Sequence, residues 1–244
     1  MASLALEGLE SLLRARKFDQ TLTRHWGLGQ GHWETQVAST GVGALDAALE
    51  GGWRRGAVSE LIGGRSSGRM SVLAATLAAA TRRGEVVGLV DAVDRFDPVT
   101  AAAAGLDLDR VLWVRGPSLT VEMARPTLLE HAVHQAVRAL DLIVRAGGFA
   151  VAALDLADVP PRIVRLLPLA TWMRIAQVNE GRDTACVLVG NASMGKSARG
   201  ASVRLEASSQ WTGQSAQGRR FARLDIRAEV ASARLGPQGV VKLT

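Results

Sequence analysis

The stretch Gly63-Gly64-Arg65-Ser66-Ser67-Gly68-Arg69-Met70 restricts this chain more than any other part of it. A candidate strand at 58–62 precedes it and a helical pattern over 70–82 follows, so the glycines sit at a strand-to-helix turn. Backbone N–H groups in such a turn, with the positive end of the next helix, form a cradle for phosphate oxygens. The glycine spacing is that of G-x-x-x-x-G-K-[ST], but Arg69 stands at the Lys position and Met70 at the Ser/Thr position. Arginine keeps the charge in a bulkier, planar group. Methionine offers no hydroxyl to Mg²⁺, and Ser71, about a quarter-turn further round the helix, points elsewhere. The plain alternative is a glycine-rich turn that holds no ligand.

From residue 39 onward short apolar runs alternate with helical stretches. The pattern predicts strands at 58–62, 86–90, 111–114, 149–154 and 185–189. Helices are predicted over 70–82, near 98–105, over 124–146 with Pro126 in the first turn, and over 162–177. From 203 the sequence is strand-like to its end, with turn signals at 213–218 and 236–239. Nearly continuous apolar strands alternating with helices imply an α/β fold: a mainly parallel sheet, helices on both faces, and antiparallel C-terminal strands. Ahead of it, Leu4, Leu6, Leu9, Leu12 and Leu13 mark one stripe of a helix over 3–18, and the glycines of 24–36 read as a linker. The chain thus divides into an appendage, 1–38, and a core domain, 39–244. The helix either folds back on that core or docks on a neighbouring subunit or partner.

Among 244 residues, 48% are apolar, which suits a globular core and argues against disorder. The formal charge of +6 is compatible with an acidic partner, although solubility accounts for it equally well. The basic residues are mainly arginine; the lysines are Lys17, Lys196 and Lys242. Cys186, the single cysteine, lies in an apolar run and reads as a core residue. The N-terminus lacks the basic-then-apolar order of a signal peptide, and no apolar run is long enough to span a bilayer, which predicts a cytoplasmic protein.

Around the loop, longer matches accumulate. Ser39-Thr40-Gly41-Val42-Gly43-Ala44-Leu45-Asp46 and Gly51-Gly52-Trp53-Arg54-Arg55-Gly56 lead into Glu60 and the loop. Asp91-Ala92-Val93-Asp94-Arg95-Phe96-Asp97-Pro98 follows the second core strand, then Gly105-Leu106-Asp107-Leu108-Asp109-Arg110-Val111-Leu112, and later Ala201-Ser202-Val203-Arg204-Leu205. In this order the segments resemble the RecA family over most of the chain. The small size and the Gly-Gly-Trp-x-Arg-Gly-Ala segment are most similar to its ImuA branch.

That resemblance implies a RecA-type core and a place in SOS-induced copying past DNA lesions, beside RecA, the inactive polymerase relative ImuB and a DnaE-type polymerase, in a cytoplasmic, nucleoid-associated setting. It also implies roles for particular residues. The loop Gly63 to Met70 and Asp155, at the Walker B position, would hold nucleotide, with Asp155 the one metal-ligand candidate. A capping role at a strand end explains Asp155 as well. Val93 replaces the family's catalytic Glu, and Asn191 its signalling Gln. The two DNA-binding loops shrink to 156–162, with Arg162, and 193–202, with Lys196 and Arg199 among Gly and Ser. Arg219, Arg220, Arg223 and Arg227 make a further basic candidate, or merely solvate an edge strand.

Loss of the Lys, the metal hydroxyl and the catalytic Glu together removes the positioning and electrostatics on which phosphoryl transfer depends. The resulting expectation is a RecA-like adaptor without turnover, binding RecA, ImuB or both, with ATP still a candidate ligand and Mg²⁺ weakened or absent. The alternatives are a slow DNA-stimulated ATPase using Arg69 and Asp155, or a module that binds single-stranded DNA. Self-association is compatible with each.

Overall fold

The computed structural model describes residues 36–118, 125–213, 218–232 and 236–243. The helix read into 3–18, and the linker up to residue 35, lie outside them. The fold opens with strand β1 (Val37–Ala38), helix α1 (Gly43–Ala48) and β2 (Trp53–Arg54), with β1 and β2 paired antiparallel. Then come β3 (Val58–Gly63), α2 (Arg69–Arg82), β4 (Val87–Asp91), α3 (Pro98–Ala103), β5 (Val111–Arg115) and α4 (Pro126–Ala146). After these run β6 (Val151–Asp155), α5 (Pro161–Val164), α6 (Leu169–Asn179) and β7 (Ala185–Gly190). The chain closes with β8 (Ala201–Thr212), β9 (Arg220–Ser232) and β10 (Gly236–Leu243).

The main sheet has the order β10-β9-β8-β3-β7-β6-β4-β5. β8 through β5 run parallel, and β9 and β10 are added antiparallel. This is the α/β architecture expected from the pattern, with the antiparallel extension at the C-terminal side. Every residue of β3, β4, β6 and β7 is buried, as central parallel strands covered on both faces must be. Alternate strand residues enter opposite layers. Leu61, Leu89, Ala153 and Val187 join α2's Val72, Leu73 and Leu77 on one face. Val90, Leu154, Cys186 and Leu188 join α4's Val133, Val137, Leu140 and Val144 on the other. Cys186 is fully buried, and burial pushes its thiol up to about 12, so it is a core residue.

Helix α4 lies so close on β4 that a Cβ at Gly88 would stand 2.9 Å from Ile143 Cγ2. Gly88→Ala is therefore expected to lose about 2 kcal/mol through overpacking, read as a lower urea midpoint with unchanged slope.

Two sequence expectations are corrected. The helical stretch 162–177 is two helices, because Pro168 removes a backbone donor and holds an extended conformation just before α6. The turn at 236–239 is instead the start of β10: Gly236 and Pro237 pair with Ser232 and Ala231 before an irregularity preceding Val240. An edge strand tolerates both residues. β10, not β9, is thus the sheet's edge on this side.

The N-terminal ends of the strands are stitched together by buried and half-buried polar groups. The Arg55 guanidinium donates to the carbonyls of Val37, Ala150 and Asp183 and to Glu85 Oε1 at 2.6 Å. Asn179 donates to the Ala57 and Thr184 carbonyls, and Thr184 Oγ1 to that of Phe149. The glycine loop, Asp91, Asp155 and Asn191 all lie at the opposite, C-terminal ends, where open parallel sheets place their ligands.

Candidate functional site

β3 delivers Gly63 at its end, and Gly68 caps α2 with φ +89°, a left-handed conformation that favours glycine. A Cβ at Gly63 would meet Ser67 Oγ at 2.2 Å, and one at Gly68 would meet Ile226 Cδ1, from β9, at 2.5 Å. The space beside Gly64 is open. Both spacing glycines are therefore required by the loop's own geometry.

Arg69 turns back under this loop with only 6% of its surface exposed. It donates through Nη1 to the Gly63 carbonyl and through Nη2 to the Ala157 carbonyl at 3.5 Å. Nη2 also lies 3.7 Å from Asp158 Oδ1. Asp158 accepts a hydrogen bond from Arg95 Nε at 3.0 Å, and Arg65 Nε stands 3.6 Å away. Burial pushes the Asp158 carboxyl up, but the Arg95 hydrogen bond and the charges of Arg95, Arg65 and Arg69 outweigh it and hold it below the usual range. One carboxylate thus gathers three guanidinium groups beside the cradle.

Asp91 and Asp155 are register partners at the ends of β4 and β6, and both are buried. Asp91 accepts from the backbone N–H groups of Arg95 and Phe96, at 2.9 and 2.8 Å. Asp155 accepts from the Ala157 N–H at 2.8 Å, a capping contact. Burial is the main cause that pushes the Asp155 carboxyl up to about 6; the Ala157 hydrogen bond and Arg69 oppose it, while Asp91 and Asp158 reinforce it. Val93 is 2% exposed and packs in the core on the α4 side, away from the loop. Asp94, at φ +56°, holds Arg115 with two hydrogen bonds and accepts a third from Ser118. These bonds keep its carboxyl below the ordinary range.

The residues present suit a phosphate group better than a Mg²⁺–nucleotide complex. Among the described residues, Ser67 Oγ and Arg69 Nε are buried without hydrogen-bond partners, beside backbone donors of the loop. Nothing at position 70 replaces the metal hydroxyl, and no cluster of three His, Cys, Asp or Glu side chains that could hold a metal occurs among the described residues.

The structure does not bring the predicted DNA contacts into this cluster. Residues Leu156, Ala157 and Val159 of the first short loop are buried, and Arg162 is exposed on α5. The second loop is tied down. Glu60, fully buried in β3, accepts from the Met194 and Gly195 N–H groups at 2.6 Å and from the Ser193 and Ser202 hydroxyls. Lys196 donates to the Ala231 carbonyl, Arg199 stands 4.0 Å from Glu180, and Asn191 is exposed just after β7. Asp158 and the role of Glu60 were missed from the sequence. For Glu60 the signal was there: a carboxylate in a central strand, between Val58 and the apolar pair Leu61-Ile62, needs buried donors.

The RecA N-terminal domain family matches the chain over residues 15–157. A RecA protein of Synechococcus sp. (strain WH7803) is 39% identical over 109 residues, 45% of this chain and 27% of that protein. A RecA protein of Salinispora tropica is 37% identical over 131 residues, 53% of this chain and 34% of that one. The chain covers about a quarter to a third of the length of these curated relatives.

Proposed function

This chain belongs to the RecA N-terminal domain family, and from that premise we propose that it is a RecA-like accessory protein, an adaptor that has given up nucleotide turnover and acts through its surfaces in damage-induced mutagenesis. The observation that carries this is Arg69. Its guanidinium is committed to the loop's own Gly63 carbonyl and to the Ala157–Asp158 corner, where an active site would leave a compact ammonium free for phosphate. Met70 in place of a hydroxyl and Val93 in the core support the same conclusion. The loop remains a phosphate cradle with no metal partner. RecA and ImuB are the proposed partners, in keeping with the resemblance to the ImuA branch.

Two measurements test this. Calorimetric titration with ATP is expected to give weak binding that Mg²⁺ leaves unchanged, and single-turnover assays on single-stranded DNA are expected to show no hydrolysis above background. Hydrolysis that disappears in Asp155→Ala would overturn the proposal in favour of a slow ATPase. Replacing Arg69 by Lys and Met70 by Thr together is expected to make ATP binding Mg²⁺-dependent, because the shorter cation frees the cradle and the hydroxyl restores a metal ligand. Failure of purified RecA and ImuB to be retained on the immobilised chain, with and without damaged DNA, would remove the adaptor role.

A further inference from the structure

Helix α6 turns Trp172, Ile175 and Asn179 inward, all of them buried. The opposite side of a surface helix ordinarily turns polar. Here it does not. Leu169 is 64% and Met173 63% exposed, about one turn apart on the same side, with exposed Ala170 beside them. Just ahead of the Pro168 break, Leu166 is 59% exposed. Helix formation does not call for these residues, since glutamate, lysine or glutamine would serve α6 about as well in water. A single exposed leucine needs no account, but Leu166, Leu169 and Met173 together make a patch.

The patch is framed by charge of one sign. Arg162, Arg165 and Arg174 are all exposed, and no ion pair or side-chain hydrogen bond among the described residues engages their guanidinium groups. From residue 159 to residue 179 the chain contains no Asp or Glu. Elsewhere exposed arginines are matched, Arg95 by Asp158, Arg115 by Asp94 and Arg145 by Asp141, so the missing counter-charge is particular to this patch. A complementary surface therefore offers apolar side chains at its centre and carboxylates at its rim. A second copy of the chain does not, because a symmetric contact brings the arginines against their own images. Nor does the leucine stripe of residues 3–18, whose Glu7 and Glu10 are outnumbered by Arg14, Arg16 and Lys17. Nucleic acid would suit the arginines but would press phosphates against leucine and methionine. The one aromatic ring of residues 159–179, Trp172, is buried and gives bases nothing to stack on.

We propose that the outer face of α5 and α6 is a docking site for an acidic amphipathic helix of a partner protein. Its apolar stripe would lie on Leu166, Leu169 and Met173, and its carboxylates against Arg162, Arg165 and Arg174. This rests on the adaptor reading and gives it a surface. Apolar anchors at i, i+3 or i+4 and i+7 of such a helix match the spacing of positions 166, 169 and 173. The unbranched, polarizable side chain of Met173 adapts to the shape of what lies on it. The arginines stand at the rim, where charge governs approach and orientation more than final affinity. Arg162 thereby belongs to a protein contact rather than a DNA contact.

The test uses the full chain, immobilised, with purified RecA and purified ImuB as probes. Leu169→Ser with Met173→Ser is expected to weaken retention of at least one of them about thirtyfold. The melting temperature should not change, because both side chains are exposed. Met173→Leu is expected to keep the affinity. Arg162→Glu with Arg174→Glu is expected to slow association about tenfold at low salt and less at high salt. A benzophenone amino acid in place of Met173 is expected to crosslink, on irradiation, to an acidic amphipathic segment of the retained protein. Unchanged retention by the double serine variant overturns the proposal and leaves the adaptor role standing. Retention of neither probe by the unaltered chain overturns both. A crosslink to residues 3–18, to a second copy or to a basic segment overturns the proposal too. If the serine variant loses binding to single-stranded oligothymidylate while protein retention is unchanged, the patch is a nucleic-acid site and the proposal falls.

Discussion

Asp155→Asn is expected to make the protein more stable at pH 7.5 by about 3 kcal/mol, measured by urea unfolding. The Asp155 carboxyl titrates at about 6 in the fold against a reference of 3.8. Between those values the folded chain keeps a proton that the unfolded chain releases, so stability falls as pH rises through the window and stays low above it. Asparagine removes that penalty and still offers an acceptor to the Ala157 N–H. The same pair of proteins should converge near pH 4, where the parent carboxyl is protonated in the fold. A variant less stable than the parent at pH 7.5 would show that the ionised carboxylate is held by Arg69 more strongly than burial opposes it.

Glu60→Ala is expected to act in the opposite direction and further, with a loss of about 4 kcal/mol. The truncation strands the Met194 and Gly195 N–H groups and the Ser193 and Ser202 hydroxyls without their acceptor. Glu60→Gln keeps one acceptor oxygen and should lose less than half as much, because serine hydroxyls can rotate to accept from its amide. Hydrogen exchange supplies a local readout: the amides of 194 and 195 should be well protected in the parent and exchange much faster in Glu60→Ala. Equal stability of Glu60→Ala and parent would mean that the loop at 193–202 holds itself in place.

The parallel core was legible because buried strands such as 151–154 and 185–190 are continuous apolar runs between glycine and polar punctuation. The glycine loop was legible because its steric demand is local. What the sequence concealed depends on residues distant in the chain. Arg69 meets Asp158 across 89 positions, and Glu60 meets Gly195 across 135. No periodicity reports such meetings. The break at Pro168 is a different failure: the proline was visible, but the apolar spacing on either side still fits a single helix. Leu166, Leu169 and Met173 were overlooked for a third reason, since their spacing fits the buried stripe of a helix and only the fold shows that side turned outward.

Arg55, Asn179 and Thr184 bind the strands together at the end of the sheet farthest from the glycine loop. The interactions that secure the fold and the residues that would perform chemistry are thereby carried by different ends of the same strands. Arginine, methionine and valine stand at positions 69, 70 and 93 without touching that clasp, so substitutions at the loop end leave the tie between the strands intact.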